Sequence, residues 1–331
     1  MKRLYVSAPV DEVRLADDVM RSVDELGGRI PGSDELRKVA ELRGMDVATM
    51  LLYQSIRAAP QHSAFIDDVD TQPVHRDHTP VDDKILFIPA LFHGHYPETG
   101  ADAKLALDIA RACGFQVETI PVRSVTTVSE NADIIANFLA KEKARRLWIF
   151  AVSKGSADFR LFLQRHPQSP AIARIAGWIN ACGLPAGCQI ADYNIATPMR
   201  RLSYRFICRM LGSSIELLRE LSTAHAFWQS PLVLPAGMRA INFVAVPLGC
   251  HIQTSLVGRY SAISASGPND GMVSCRDSVI DAGVIYPVWG CDHFFRGPQV
   301  VQLLYRFFSW LRLQPPSGHQ PSRSEECRSS T

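Results

Sequence analysis

The sequence predicts an α/β protein with a doubly wound, mostly parallel sheet, a helical lid insertion and a helical N-terminal extension. Between Lys84 and Leu313, short and continuously apolar runs alternate with helical patterns of about ten to sixteen residues. Strands without polar alternation are typical of parallel sheets that helices cover on both faces. The alternation stops between residues 184 and 237, and a separate helical pattern precedes Lys84.

The bulk composition is that of a globular protein. The 331 residues are 47% hydrophobic and 21% charged, so a sizeable core can be buried. The formal net charge of +2 gives no field strong enough to predict nucleic acid or an anionic membrane as the main partner. The eight cysteines include no CxxC pair and no zinc-type spacing, so we expect neither a disulfide framework nor a metal site.

Targeting and membrane signals are weak. Only a few apolar residues precede Asp11 and Glu12, which is too short for a signal-peptide core. No apolar run approaches the roughly 18 residues that a transmembrane helix needs. We therefore expect a cytoplasmic protein without an integral membrane segment, although a peripheral contact through an apolar lid would leave no such signal.

The first 83 residues predict a helical N-terminal extension and a connector. The segments LADDVMRSVDEL and ELRKVAELRGMDVATMLLYQSIRAA both fit the helical period of 3.6 residues. Residues 61–83 are polar, include two prolines and show no sustained period, which predicts an irregular connector. The extension is a candidate docking site for a partner. At the other end, the Pro- and Ser-rich residues 314–331 are expected to be a disordered tail.

The main domain is predicted to span residues 84–313. Its first strand, ILFIPALF, is followed by the helix ADAKLALDIARACG, which ends near Gly114. The strand FQVETIPV then leads to the helix SENADIIANFLAKEKA, with Ser129 as the expected N-cap, and to the fully buried strand RLWIFAVS. The helix GSADFRLFLQRHP and the strand IAGWINACG follow. After the insertion come two strands, MRAINFVAVPLG and GVIYPVWG, and a final helix, PQVVQLLYRFFSWLRL.

Ser153 stands where the buried third strand ends and a helix begins. The segment AVSKG around it has the strand–turn–helix setting in which a nucleophilic serine is presented on a tight turn. Small residues are needed at Ala151 and Gly155 because that turn brings strand and helix close together; Ala151 takes a place where glycine is usual. The alternative is a serine that only caps the helix. We favour the nucleophile.

The order of elements from Lys84 to Leu313, with AVSKGS at the third strand, resembles the α/β-hydrolase superfamily and its esterase- and lipase-like serine hydrolases. The resemblance implies the chain order serine, acid, histidine, with the acid after a late strand and the histidine after the last strand. Asp270 in GPNDGMVS and His293 in GCDHFF stand at these places, and the resemblance implies a catalytic role for both. The sequence leaves other candidates open: Asp277, Asp281 and Asp292 for the acid, and His251 for the base.

The oxyanion of a tetrahedral intermediate needs two fixed donors. One is expected to be the backbone amide of Lys154, directly after the nucleophile. The other is expected from the loop PALFHG after the first strand, from the amide of Leu91 as first choice or of Phe92 as second.

Two charged features near these loops have simpler interpretations. His93 and His95 lack a third ligand at a diagnostic spacing, so we expect surface residues and no metal. The side chain of Lys154 is expected to pair with Asp158 on the same helix face, in preference to binding a substrate anion.

The insertion at 184–237 carries enough apolar surface to roof the site. A roof implies an apolar acyl substrate, whereas the alternative is that these side chains only bury one another. A basic run in the same segment is expected to be a solvated helix face, in preference to an anion or lipid-surface site. The apolar residues are Phe206, Ile207, Met210, Leu211, Leu217, Leu218, Leu221, Phe227 and Trp228, and the basic ones are Arg200, Arg201, Arg205 and Arg209.

These features predict a serine hydrolase that cleaves a small-molecule ester of an apolar acyl group through an acyl-enzyme, without a metal or organic cofactor. The same residues would also suit an acyltransferase or a thioesterase. For that alternative, Arg200, Arg201 and Arg205 would suit a coenzyme A or carrier-protein substrate. A third possibility is a catalytically silent hydrolase fold that serves as a binding or scaffold module.

Overall fold

A computed structural model describes residues 10–74 and 78–314. Its centre is one sheet of six parallel strands in the order β2-β1-β3-β4-β5-β6, which confirms the predicted α/β architecture. The tail prediction concerns residues that lie outside this description, except Gln314. The strands are β1 (Lys84–Ile88), β2 (Gln116–Thr119), β3 (Leu147–Val152), β4 (Ile175–Ala181), β5 (Arg239–Val246) and β6 (Val284–Trp289).

Helices precede, connect and follow the strands. Four of them lie before β1, four lie between β4 and β5, and the last one follows β6. They are α1 (Glu12–Glu25), α2 (Ser33–Arg43), α3 (Met45–Ala58), α4 (Pro60–Asp70), α5 (Lys104–Ala112), α6 (Val128–Lys141), α7 (Lys154–Arg165), α8 (Gln189–Ile195), α9 (Pro198–Met210), α10 (Glu216–Leu221), α11 (Ala226–Gln229), α12 (Val257–Ala262) and α13 (Pro298–Arg312).

Side chains from both faces of the sheet are buried. Helices α5 and α13 cover one face, where Phe243 of β5 packs edge-on against Phe307 of α13. Helices α6 and α7 cover the other face, where Trp178 of β4 packs edge-on against Phe159 of α7. Burial on both faces explains why β3 and β4 are apolar at nearly every position.

The strand order reverses between β1 and β3. The chain goes from β1 outward to β2 and then crosses to β3 on the other side of β1. The loops that follow β1 and β3 therefore leave the sheet in opposite directions. In open α/β sheets, the crevice at such a switch point is the usual place for a ligand.

The N-terminal helices are part of the core of the protein. Leu52 and Ile56 of α3 belong to one buried cluster with Val244 and Val246 of β5. Since the apolar faces of α1 to α4 contact one another and strands β5 and β6, the structure gives no support to the prediction that this segment docks a partner.

Helix α4 covers the open edge of β6, and the prediction of an irregular connector is wrong for residues 61–70. The ring of His62 accepts a hydrogen bond from the amide of Ile285 (3.3 Å), and the hydroxyl of Tyr286 donates to Asp70 (2.5 Å). An uncovered edge strand exposes unpaired amides, so α4 closes the sheet at this side. The few apolar residues of this helix gave too weak a period for prediction.

Two helix boundaries differ from expectation. The long helical pattern of residues 35–59 is broken at Gly44, whose φ of 98° lies in a region that favours glycine. The N-cap of α6 is Thr127, which accepts from the amide of Glu130; the hydroxyl of Ser129 donates instead to Glu220 of α10 (2.6 Å).

The segment at 184–237 forms α8 to α11 between β4 and β5. Its two ends are held by Arg160 of α7, whose guanidinium donates to the carbonyls of Pro185 (2.5 Å) and Ser230 (2.6 Å). The predicted interruption of the alternation is therefore a helical insertion fixed to the helix that follows β3. Within the described ranges, no helix is long and apolar enough to cross a membrane.

Leu52→Ala is expected to lower the free energy of unfolding of the whole protein by about 2–5 kcal/mol, because it opens a cavity between α3 and β5. Leu42→Ala on α2 is the matched control: Leu42 is 85% exposed and Leu52 is fully buried. Denaturant unfolding followed by circular dichroism measures both. A separate early transition for the N-terminal helices, with the main transition unchanged, would show that they are not part of one cooperative unit.

Candidate active site

The turn at Ser153 is sharply bent. Ser153 has φ 50° and ψ −119°, a strained conformation for a residue with a side chain. Gly155, two residues later, lies so close to β1 that a Cβ there would be 2.5 Å from the carbonyl oxygen of Ile88. Only glycine fits at this place. Ala151, by contrast, is fully buried within β3, and its methyl group is accommodated.

Ser153, His293 and Asp270 form one hydrogen-bonded line. Ser153 Oγ lies 2.8 Å from His293 Nε2, and His293 Nδ1 lies 2.7 Å from Asp270 Oδ2. All three follow the carboxyl ends of strands, which meet at one edge of a parallel sheet. Ser153 and His293 are each 6% exposed and Asp270 is 2% exposed. The structure thus brings together the three side chains that the sequence singled out.

Asp270 is held by its own loop. Its Oδ1 accepts from the amides of Met272 (2.9 Å) and Val273 (3.0 Å), which leaves Oδ2 for the imidazole. The backbone amide of His293 also donates to the carbonyl of Asp270 (3.0 Å). The orientation of the histidine is therefore fixed by both side-chain and backbone hydrogen bonds from one residue.

The alternative base, His251, and one alternative acid, Asp292, form hydrogen bonds with other residues. His251 Nε2 lies 3.0 Å from Glu12 Oε1, and its Nδ1 accepts from the amide of Leu248. Asp292 accepts from the amides of Gln253 and Phe294 and so shapes the loop around His293 without contacting its ring.

The two other acid candidates, Asp277 and Asp281, have other surroundings. Asp277 accepts from Gln189 (2.5 Å), and burial raises the pKa of its carboxyl. Asp281 lines a separate groove of about 800 Å³ with Arg29, His62 and Arg276. Neither forms a hydrogen bond with His293.

The geometry distinguishes between the two candidate amides in the loop after β1. The amide of Phe92 donates to the carbonyl of Ser124 (3.3 Å) and is therefore occupied. Among the residues that the structure describes, no acceptor receives a hydrogen bond from the amides of Leu91 or Lys154. Since Ile88 pairs with Ala151 and Gly155 lies close to the end of β1, the amide of Lys154, at the start of α7, lies near the loop that carries Leu91.

The two histidines of the same loop have separate partners. His93 Nδ1 lies 2.9 Å from the carbonyl of Ala90, and His95 Nδ1 lies 3.3 Å from the hydroxyl of Ser124. The structure contains, in the part of the chain that it describes, no group of three or more His, Cys, Asp or Glu residues placed to hold a metal ion.

The side chain of Lys154 points into the protein. Its Nζ lies 2.7 and 2.9 Å from the two carboxylate oxygens of Asp158, and both side chains are almost fully buried. Asn131 of α6 donates to the same carboxylate (2.8 Å) and also bonds both backbone groups of Arg123. Burial raises the pKa of Asp158 to about 6 although Lys154 opposes the shift. The pair thus fixes α7 and the loop after β2.

Two buried asparagines were not predicted from the sequence. Asn180 of β4 and Asn242 of β5 are neighbours in the sheet, fully buried, and joined by a 2.8 Å hydrogen bond. Ser156 of α7 donates to Asn180 (2.6 Å), while Asn180 and Asn242 donate to the carbonyls of Ser278 and Ile280. This network connects the nucleophile helix to the loop after Asp270. Its signal was a single amide within the apolar, buried part of each of the two strands.

The apolar residues of the insertion divide into two groups. Leu217, Leu221 and Trp228 are buried against the face formed by α6 and α7, whereas Phe206, Ile207 and Met210 of α9 are exposed. A separate apolar cluster includes residues from the two loops that carry Asp270 and His293: Met272 and Phe294 pack against Ile252, Leu256 and Val257.

The fold is shared with solved structures of esterases and lipases. The metagenomic carboxyl esterase MGS0156 matches with a TM-score of 0.59 at 20% identity, over 73% of this chain and 78% of that chain. The propeptide form of the Bacillus licheniformis lipase BlEst2 matches with a TM-score of 0.53 at 17% identity, over 75% of this chain and 53% of that chain. No protein-family model matches the sequence, and neither does any curated protein. The two structural matches show that the chain has the α/β-hydrolase fold.

Lys154→Met is expected to lower the free energy of unfolding by about 3 kcal/mol or more, because it leaves the buried Asp158 without its counter-charge. The double variant Lys154→Met/Asp158→Asn removes both charges and is expected to recover most of that loss. Urea unfolding at neutral pH measures the difference.

The matched control is Lys104→Met on α5. Lys104 and Asp108 form an exposed pair with the same spacing and the same 2.7 Å distance, so a change within about 0.5 kcal/mol is expected. Equal effects of Lys154→Met and Lys104→Met would contradict a structural role for the buried pair.

Proposed function

We propose that this protein is a serine hydrolase that cleaves a carboxylic ester through an acyl-enzyme intermediate. The observation that carries the proposal is the line of two hydrogen bonds from Ser153 through His293 to Asp270, at 2.8 and 2.7 Å. A serine hydroxyl is a poor nucleophile unless an oriented base takes its proton. The strained backbone at Ser153 gives further support, since a helix cap does not require it.

In the first half-reaction, Ser153 Oγ attacks the ester carbonyl while His293 Nε2 takes the hydroxyl proton. The tetrahedral intermediate then breaks its bond to the alcohol oxygen, and His293 returns the proton to the departing alcohol. In the second half-reaction, His293 takes a proton from water as the water oxygen attacks the acyl-serine. The carboxylic acid leaves and Ser153 regains its proton. Asp270 holds the imidazole and stabilises its protonated form.

The negative oxygen of each intermediate requires donors that are already in place. The amides of Lys154 and Leu91 suit this role because, among the described residues, neither has a hydrogen-bond acceptor and they follow the ends of two neighbouring strands, β3 and β1. The hydrogen bond from Phe92 to Ser124 holds the loop that carries Leu91, so Phe92 serves as an anchor in this mechanism and not as a donor.

An apolar acyl group is the substrate that the surroundings of the triad favour. Met272, two residues after Asp270, and Phe294, directly after His293, belong to the apolar cluster with Leu256. Both are partly exposed. Apolar side chains on the loops that carry the acid and the base favour an acyl chain, because each methylene group that they remove from water contributes about 0.8 kcal/mol.

Purified wild-type protein is expected to be labelled at Ser153 by a fluorophosphonate probe, and intact mass spectrometry measures the label. Ser153→Ala and His293→Ala are expected to lose the label, because one lacks the nucleophile and the other its base. Asp270→Asn is expected to lower kcat for a small ester on the order of 10⁴-fold.

Matched controls are Ser264→Ala, His251→Ala and Asp277→Asn, which change the same residue types outside the triad. All three are expected to remain labelled. An unlabelled wild type, or label that persists in Ser153→Ala, would overturn the proposal and favour the silent scaffold.

The acyl preference is tested with p-nitrophenyl esters of increasing chain length. We expect kcat/KM to rise by up to about fourfold for each added methylene between acetate and the medium-length esters, as the chain enters the apolar cluster. Phe294→Ser is expected to flatten this rise. A constant kcat/KM over the series would contradict the acyl assignment and leave the serine mechanism intact, while a strong preference for matched thioesters would favour the thioesterase alternative.

A further inference from the structure

Helix α9 has its apolar side facing outward. Met199, Leu202, Phe206 and Met210 are 80%, 70%, 65% and 72% exposed. They recur every three or four residues and so form one continuous stripe along the helix. A surface helix of a globular protein normally turns such a stripe toward the core.

The inner face of α9 is narrow and formed by other residues. Cys208 is the one buried residue of this helix, and Arg200 and Tyr204 are partly buried. Phe206, two positions after Tyr204, is rotated by about 200° around the helix axis. The stripe therefore lies opposite the contact face, and no other part of the described chain covers it.

Arginines line one flank of the stripe. Arg201, Arg205 and Arg209 recur at four-residue intervals and are exposed. Within the described ranges none of the three forms a salt bridge. Three uncompensated positive charges beside an outward apolar stripe give the helix the composition of segments that lie in the interface of a membrane with anionic lipids.

We propose that α9 is a docking helix for an anionic phospholipid surface. The stripe enters the boundary between headgroups and acyl chains, and the three arginines contact phosphate groups beside it. The helix has 13 residues, too few to span a bilayer, so it lies along the surface. The charge complementarity favours anionic lipid over a second copy of this chain, whose α9 would bring the same positive charges together.

The inner face of α9 is connected to the triad. Arg200 at the start of α9 stacks on Tyr193 of α8 and donates to its hydroxyl (3.0 Å). The amide of Ile190 in α8 donates to the carbonyl of Met272, whose own amide donates to Asp270. Helices α9 and α8 therefore connect a bound surface to the loop that carries Asp270.

The test is sedimentation of the full-length protein with vesicles of phosphatidylcholine alone and of phosphatidylcholine with phosphatidylglycerol in equal parts. Binding does not depend on catalysis, so failure of this inference and failure of the proposed function are distinguishable. We expect binding to the mixed vesicles, weaker binding to phosphatidylcholine, and a decrease with added salt. Phe206→Ser is expected to weaken binding at least tenfold, and Arg205→Gln with Arg209→Gln about fivefold for each charge removed.

Leu42→Ser and Arg21→Gln are the controls, since both change exposed side chains on the N-terminal helices. They are expected to leave binding unchanged. Three results would overturn the inference: no sedimentation with mixed vesicles, binding that the α9 variants do not alter, or equal binding to both vesicle types. A dimer that Phe206→Ser dissociates, together with no vesicle binding, would assign the stripe to a second copy of the chain.

Discussion

Helix α7 begins so close to the end of β1 that no side chain fits between them. A Cβ at residue 155 would lie 2.5 Å from the carbonyl oxygen of Ile88, so glycine alone permits the contact. The contact forces the turn at Ser153 into its strained backbone conformation. It also brings the free amide of Lys154 beside the loop that carries Leu91. The nucleophile and both candidate oxyanion donors depend on this one close approach, and the remaining polar contacts of the interior hold it in place.

Buried polar groups transmit this arrangement through an otherwise apolar interior. Ser156 and the paired asparagines, Asn180 and Asn242, connect α7 to the loop after Asp270 by hydrogen bonds of 2.6 to 3.2 Å. The ion pair of Lys154 and Asp158 connects the same helix to α6 and to the loop after β2. Polar groups cost stability when they are buried alone, but each of these has partners. In return, the network fixes directions that apolar packing by itself leaves adjustable.

The insertion combines a fixed part with an exposed part. Arg160 holds both of its ends, and Glu220 of α10 accepts hydrogen bonds from the amide and hydroxyl of Ser129. Helix α9, in contrast, contacts its neighbours through a narrow face around Cys208 and leaves its apolar stripe exposed. The alternative in which the apolar side chains bury one another describes the anchored helices but not α9, and the roof over the site stays a prediction. The anchored helices belong to the core, while α9 belongs to the surface.

The sequence by itself determined the parallel sheet and the strand–turn–helix setting of Ser153, because these depend on local period and on strand ends. The places of Asp270 and His293 followed from the resemblance to the α/β-hydrolase superfamily. The tertiary structure decided what depends on contacts between distant residues. It showed that residues 60–70 form a helix along the edge of β6, and that Phe92 donates to Ser124 whereas Leu91 remains free. Both His251 and His293 follow a strand, but His251 lies beside Glu12 in the folded chain and His293 lies beside Ser153. Local pattern cannot give such partners, since hydrogen bonds across 140 or 239 positions exist only once the chain has folded.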